Sequence, residues 1–264
     1  MQHDGTPHSG QYADVYLDHS AGLARRYPRC EAERAGLPGH AAKLRSARES
    51  GLPAPELIAV HAQLPLGEAH SVMRLLPGVA LRPTLPLGPD AQRQLANDLG
   101  ALLGRLSKVD PSRWPEQGDW RRSWLDLASD VRQLVLPKLS PGAGRRALSE
   151  VDAAAELAHT APGGFTHGDL GGANVLVDPD TGQLAGVLDW DSSGPGDPAL
   201  DLAALSLSIP APVAALVADL LPDHAEQQRR ARVYSATLAL QDAVFGLRAG
   251  DIRASTAGLA RYLD

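Results

Sequence analysis

The stretch FTHGDLGGANVLVDPDTGQLAGVLDWDSSGPGDPALD, residues 165–201, carries His167, Asp169, Asn174, Asp189, Asp191, Asp197 and Asp201. Carboxylates and a carboxamide at loop positions beside apolar runs suit a hard cation such as Mg²⁺, and protein-bound Mg²⁺ commonly meets substrate phosphates. Residues 165–166 and 174–178 read as strands, Pro179-Asp180-Thr181-Gly182 as a turn and residues 184–188 as the return strand. That hairpin brings the loop at 167–173 beside Asp189. Asp169 and Asn174 share the loop. Phosphoryl transfer needs oxygen ligands for metal and one carboxylate to accept the proton of an acceptor hydroxyl, and this stretch supplies both. A hydrolytic transition-metal site would want more histidines at ligand spacing, and the others are scattered along the chain.

The elements that must position these groups divide the chain in two. Residues 11–17 and 21–27 flank Asp18-His19-Ser20 and read as a hairpin. Arg25 and Arg26 end its second strand and point to opposite faces, so only one can reach a site beneath the loop. Residues 31–50 read as a helix, with an interruption expected near Gly36-Leu37-Pro38-Gly39. Residues 57–61 and 69–76 read as two further strands, closed by a turn at Pro77-Gly78. The order β-β-α-β-β describes a small α+β lobe at residues 1–78. A linker is expected at about 73–90 and a mainly helical lobe at 90–264.

In the second part, Leu95, Leu99, Leu102, Leu103, Leu106 and Val109 recur at helical spacing, with Asp90 as the expected cap. Trp120, Trp124, Leu127, Val131 and Leu134 mark another helix, and the tryptophans are read as core anchors. Helices are expected at 143–159, 197–207, 211–221, 223–247 and from 251 to the end. The fold class is therefore α+β: a small β-rich lobe, and a larger helical lobe carrying the catalytic hairpin.

Composition narrows the function. The net charge of −6 disfavours a nucleic-acid partner, for which a basic patch is wanted. Cys30 is the only cysteine, which excludes an internal disulfide and points to a reducing, cytoplasmic setting. The first ten residues lack the apolar run of a signal peptide. Residues 202–221 are apolar but broken by Pro210 and Pro212, and read as two buried helices, not a membrane span.

The order His167-Gly168-Asp169, then Asn174, then Leu188-Asp189-Trp190, then Gly196-Asp197-Pro198 with Asp201-Leu202-Ala203, resembles the aminoglycoside phosphotransferase and choline kinase-like family, small-molecule relatives of protein kinases. The resemblance spans the chain and implies a two-lobe, protein-kinase-like fold. It implies transfer of the γ-phosphate of ATP, with Mg²⁺, to a hydroxyl of a small molecule. It makes Asp169 the catalytic base, Asn174 and Asp189 the metal ligands, and His167, Asp197 and Asp201 architectural. Ser9 and Gly10 match the nucleotide-covering loop. Arg26 matches the strand cation that reaches the phosphates. Met73, Arg74 and Leu75 match the connection whose backbone meets adenine.

Two expectations follow from where the chain departs from the family pattern. The helix glutamate that should pair with Arg26 falls at His40 instead, with Glu31 and Glu33 as substitutes if the register slips. That departure and the single loop glycine motivate an alternative, a weak or inactive kinase-like nucleotide-binding regulator. Asp191 has no family role and is expected to be a solvated loop aspartate. The acceptor stays open among aminoglycoside, macrolide, choline-like and other alcohols, because residues 197–264 hold eight acidic and six basic residues and no clear anionic surface.

Overall fold

The computed structural model describes residues 7–10, 12–115, 118–221 and 224–263. Gln11 and Asp223, expected to open a strand and a helix, lie outside the described residues, as do residues 1–6. The chain begins with β1 (His8–Ser9), β2 (Ala13–Asp18) and β3 (Leu23–Pro28). Asp18 closes the β2–β3 turn by accepting from the Ser20 hydroxyl and the Ala21 amide. Helix α1 (Glu31–Glu49) follows, then β4 (Leu57–Val60) and β5 (Ser71–Arg74). These strands form one antiparallel sheet in the order β1-β2-β3-β5-β4.

The interruption expected near Pro38 does not occur: α1 runs through it. Pro38 is exposed while Leu37, Ala41, Leu44 and Ala47 are buried on the opposite stripe, so packing of that stripe outweighs the lost hydrogen bond.

After β6 (Val79–Ala80) comes α2 (Pro89–Leu106). Its cap is Gly88, not Asp90, because Pro89 takes the first helical position, where a missing N–H costs nothing. Helix α3 (Trp120–Asp130) is capped by the Asp119 carboxylate and passes into a π turn at Val131–Val135. Helix α4 (Pro141–Thr160) is capped by Ser140. Trp124 is buried in the core, as expected, and so is Trp114; Trp120 packs half-buried at its edge.

Strands β7 (Gly164–Thr166), β8 (Val175–Val177), β9 (Leu184–Val187) and β10 (Gly194–Gly196) frame the opening stretch. β8 and β9 form the expected hairpin, which β6 joins as a third strand. β10 pairs with β7, placing the DWDSS turn beside the HGD loop. Helices α5 (Ala199–Ser208), α6 (Ala211–Leu220), α7 (His224–Ala249) and α8 (Ile252–Ala260) complete the chain. The larger core cluster runs from α1 and α2 through the hairpin to α5, α6 and α7, and a second joins α3, α4, α7 and α8. The β8–β9 hairpin thus sits on packed helices, a rigid base for a site. Among the described residues no helix is long and apolar enough to cross a membrane.

Candidate active site

The HGD loop is held from below. The Asp201 carboxylate on α5 accepts the amides of His167 at 2.8 Å and Gly168 at 2.9 Å. His167 is fully buried. Its Nδ1 accepts the Asp169 amide at 3.3 Å, which puts the ring proton on Nε2, donated to the Leu188 carbonyl at 3.0 Å. Burial lowers its pKa to about 4. A neutral ring with both nitrogens engaged braces the loop and is not poised to carry protons. Gly168 has φ of +84°, and a Cβ there would lie 2.4 Å from the Ser192 carbonyl oxygen, so a side chain would push the two loops apart.

Asp197 is buried on the same helix end. It accepts the Ala199 amide at 3.0 Å, the Arg230 guanidinium at 3.0 Å and the Tyr234 hydroxyl at 3.2 Å. Asp197 and Asp201 therefore anchor structure, as the sequence suggested.

Asp169, Asn174 and Asp189 converge on the opposite, cleft-facing side. Asn174 Nδ2 donates at 2.9 Å to both the main-chain carbonyl and a carboxylate oxygen of Asp169. The Leu188 amide donates to the Asn174 carbonyl at 2.7 Å, locking that loop to the strand end before Asp189. Asp189 adopts left-handed backbone, φ 57°, a conformation uncommon outside glycine and met at functional turns. Both aspartates are exposed to the cleft. Surrounding protein nonetheless removes enough water to push both pKa values up. Asp189 reaches about 6, with Asp191 and Asp169 adding to the effect and Arg26 opposing it. Asp169 is raised by desolvation and by Asp242, against the Asn174 hydrogen bond. Two mutually repelling carboxylates beside a carboxamide oxygen form a hard donor set that a divalent cation would relieve. The residues fit Mg²⁺.

The β-rich lobe forms the roof. The Gly10 amide donates to the Ala13 carbonyl at 2.9 Å, closing the loop that follows Ser9 at the end of β1. Tyr12 extends from this loop across the cleft, edge-on to Phe245 of α7, with ring centroids 5.1 Å apart. Desolvation raises its hydroxyl pKa, with Glu33, Asp189 and Asp169 adding to it, so the ring overlooks the acidic residues. Met73 and Arg74 end β5, but the Arg74 amide donates to the Glu56 carbonyl and the Leu75 amide to the Gly22 carbonyl. Those two donors are committed within the lobe.

Arg26 points into the cleft while Arg25 turns away to Asp18, as strand alternation requires. Its partner overturns an expectation. Arg26 Nη2 lies 2.7 Å from Asp191 Oδ2, so Asp191 is an ion partner and not a solvated bystander. Glu31 pairs with Arg34, and among the described residues neither Glu31 nor Glu33 bonds Arg26. Asp191, Asp242 and Phe245 are the residues sequence reasoning missed. Asp191 was visible, since it follows Asp189 by two. Nothing local marked the other two, and Tyr12, read only as part of the loop after Gly10, was not expected to reach across the cleft.

A family model described as the phosphotransferase enzyme family matches residues 4–236. The chain belongs to that family. Viomycin phosphotransferase of Streptomyces vinaceus is 30% identical over 267 residues, covering 97% of this chain and 91% of that protein. A GDP complex of aminoglycoside 2'-phosphotransferase-IIIa superposes with a TM-score of 0.81 at 18% identity, over 97% of this chain and 92% of the other. Macrolide 2'-phosphotransferase type I does so with a TM-score of 0.71 at 19% identity, over 100% and 92%. The protein-kinase-like fold is thereby established. This member of the phosphotransferase family is an enzyme that transfers a phosphoryl group from a nucleotide to a hydroxyl of a small molecule. Nothing in its relatives favours an inactive regulator.

Proposed function

We propose that this phosphotransferase uses Mg-ATP to phosphorylate a hydroxyl of a cationic small molecule, with Asp169 as the base. The observation that carries this reading is the Asp169 carboxylate held by Asn174 beside Asp189 and below Arg26. In this reading Asp169 orients the acceptor hydroxyl and takes its proton. Its raised pKa makes it a better proton acceptor than a free carboxylate. With Nδ2 committed to Asp169, the atom Asn174 offers a cation is Oδ1, and Asp189 adds a carboxylate. Bound Mg²⁺ would neutralise phosphate charge there. Arg26 and the loop at Ser9 and Gly10 would hold the phosphates, and the stretch at Met73, Arg74 and Leu75 would border the base.

Asp242 on α7 adds negative charge next to Asp169, which favours an acceptor carrying ammonium or guanidinium groups near its reacting hydroxyl. The name of the Streptomyces vinaceus relative makes viomycin the first acceptor to try. The working division is a nucleotide lobe at 1–78 and a catalytic lobe at 90–264, in a cytoplasmic enzyme. The experiment is release of nucleoside diphosphate from ATP or GTP, with Mg²⁺, against viomycin, aminoglycosides, macrolides and neutral polyols. ATP turnover with a cationic acceptor supports the reading. Turnover confined to neutral polyols would remove the role of Asp242, and turnover that survives EDTA would remove the metal.

A further inference from the structure

An arginine that must meet phosphate from a strand is long, and fixing it costs side-chain entropy. A carboxylate partner that holds it in advance removes much of that cost at binding. In protein kinases the partner of the strand cation is a glutamate on the neighbouring helix. Here the corresponding face of α1 presents His40, whose Nδ1 lies 3.2 Å from Arg26 Nη1. Histidine offers no carboxylate. The carboxylate comes from the other lobe: Asp191 Oδ2 sits 2.7 Å from Arg26 Nη2 and 3.3 Å from His40 Nδ1. The Arg26 and Asp191 side chains are 15% and 25% exposed, sheltered enough for the pair to outweigh a surface ion pair. Lys43, one turn further along α1, donates to the Asp191 carbonyl at 2.7 Å. Asp191 belongs to the 3-10 turn Trp190–Ser192, for which Asp189 is the N-terminal flanking residue.

We infer that Asp191 is the positioning residue for Arg26, replacing the helix glutamate. This rests on the reading that Arg26 meets the nucleotide phosphates. The phosphate-binding cation and the cation-binding Asp189 are then set by one short turn, and α1 is pinned to that turn by His40 and Lys43. The orientation of Arg26 follows the catalytic lobe, not the placement of α1.

The test measures ATP dissociation constants by calorimetry, together with KM for ATP and kcat, in the full-length protein. Asp191→Asn should weaken ATP binding about tenfold, about 1.4 kcal/mol, and raise KM for ATP more than it lowers kcat. Asp191→Asn/His40→Glu returns a carboxylate to Arg26 from α1 and should bind ATP within about threefold of the parent protein. It keeps one carboxylate beside Arg26, so it can be read even if the single variant does not fold. In an Arg26→Met background, Asp191→Asn should change ATP affinity no further. Unchanged ATP affinity in Asp191→Asn overturns the assignment. So does a folded double variant that stays weak, or an additive loss in the Arg26→Met background. Failure of Arg26→Met itself to weaken ATP binding sinks the phosphate role of Arg26, a result distinct from failure of Asp191 as its partner.

Discussion

The side-chain amide of Asn174 is spent on Asp169, bonding its carboxylate and its main-chain carbonyl at the same 2.9 Å. In the proposed mechanism, the residue that would offer an oxygen for metal therefore also aims the base. Asp169→Asn should lower kcat by about 10²–10⁴-fold, the range for loss of a general base, and leave the ATP dissociation constant nearly unchanged. Asn174→Ala should lower kcat and also raise the Mg²⁺ concentration needed for half-maximal rate. Steady-state kinetics across a Mg²⁺ series separates the two. Full turnover in Asp169→Asn would remove Asp169 as the base.

His167 gives the fold a defined acid sensitivity. Its folded pKa is about 4, below the ordinary 6.5, because burial opposes charge. The contribution to stability is fully present above pH 6.5. As pH falls from 6.5 to 4, the unfolded chain gains a proton that the folded chain refuses, and stability drops by about 3 kcal/mol, at 1.36 kcal/mol per pKa unit. Below about 4 this term is flat. Urea unfolding at pH 7 and pH 4.5 should show the drop, and His167→Gln should lose most of it. An equal acid loss in the variant would show that other groups set it.

The catalytic hairpin was legible because its parts are consecutive: Asp169, Asn174 and Asp189 lie on one loop and one strand end, and alternation with Gly turns fixed the pairing of β8 with β9. Helix α2 was legible from its helical leucine spacing, and α1 from its Ala, Arg and Glu composition. Pro38 was misread because punctuation rules see a lost backbone bond and not the buried stripe that compensates for it. Gly194–Gly196 was missed as a strand because Gly-Pro-Gly carries no side-chain pattern, and only pairing with β7 makes it one. The Arg26 partner was missed for a different reason. Asp191 was in view beside Asp189, but it lies far from Arg26 in sequence and no local pattern pairs residues across the lobes.

Arg230 neutralises Asp197 where both are almost wholly shielded from water: their side chains are 9% and 0% exposed. Removing one partner of a buried pair leaves an uncompensated charge, at a cost of about 3–5 kcal/mol. Arg230→Met should lose that much in equilibrium urea unfolding. Asp197→Asn/Arg230→Met should recover part of it, since no buried charge is then left alone. A loss below about 1 kcal/mol in Arg230→Met would mean that the Tyr234 hydroxyl and the Ala199 amide suffice to hold Asp197.

Tyr12 and Phe245 join the loop after β1 to α7. The edge-to-face geometry, with an interplanar angle of 71°, is one in which the positive ring edge meets the negative face. Such a pair contributes about 0.5–1.5 kcal/mol beyond area burial. Because Tyr12 overlooks Asp169 and Asp189, an acceptor entering between α7 and the catalytic loop must pass this contact or rest against it. The acceptor should rest against this contact and tighten it, so Tyr12→Ala and Phe245→Ala should each lower kcat/KM for the acceptor. The double variant then loses about two- to tenfold less than the product of the single effects, the ratio that 0.5–1.5 kcal/mol of coupling gives. Tyr12→Phe keeps the ring and should behave like the parent protein. A gain in kcat/KM in both alanine variants would overturn this and show that the contact must open for the acceptor to bind. Strict multiplicativity of the two effects would show that the rings do not act together during turnover.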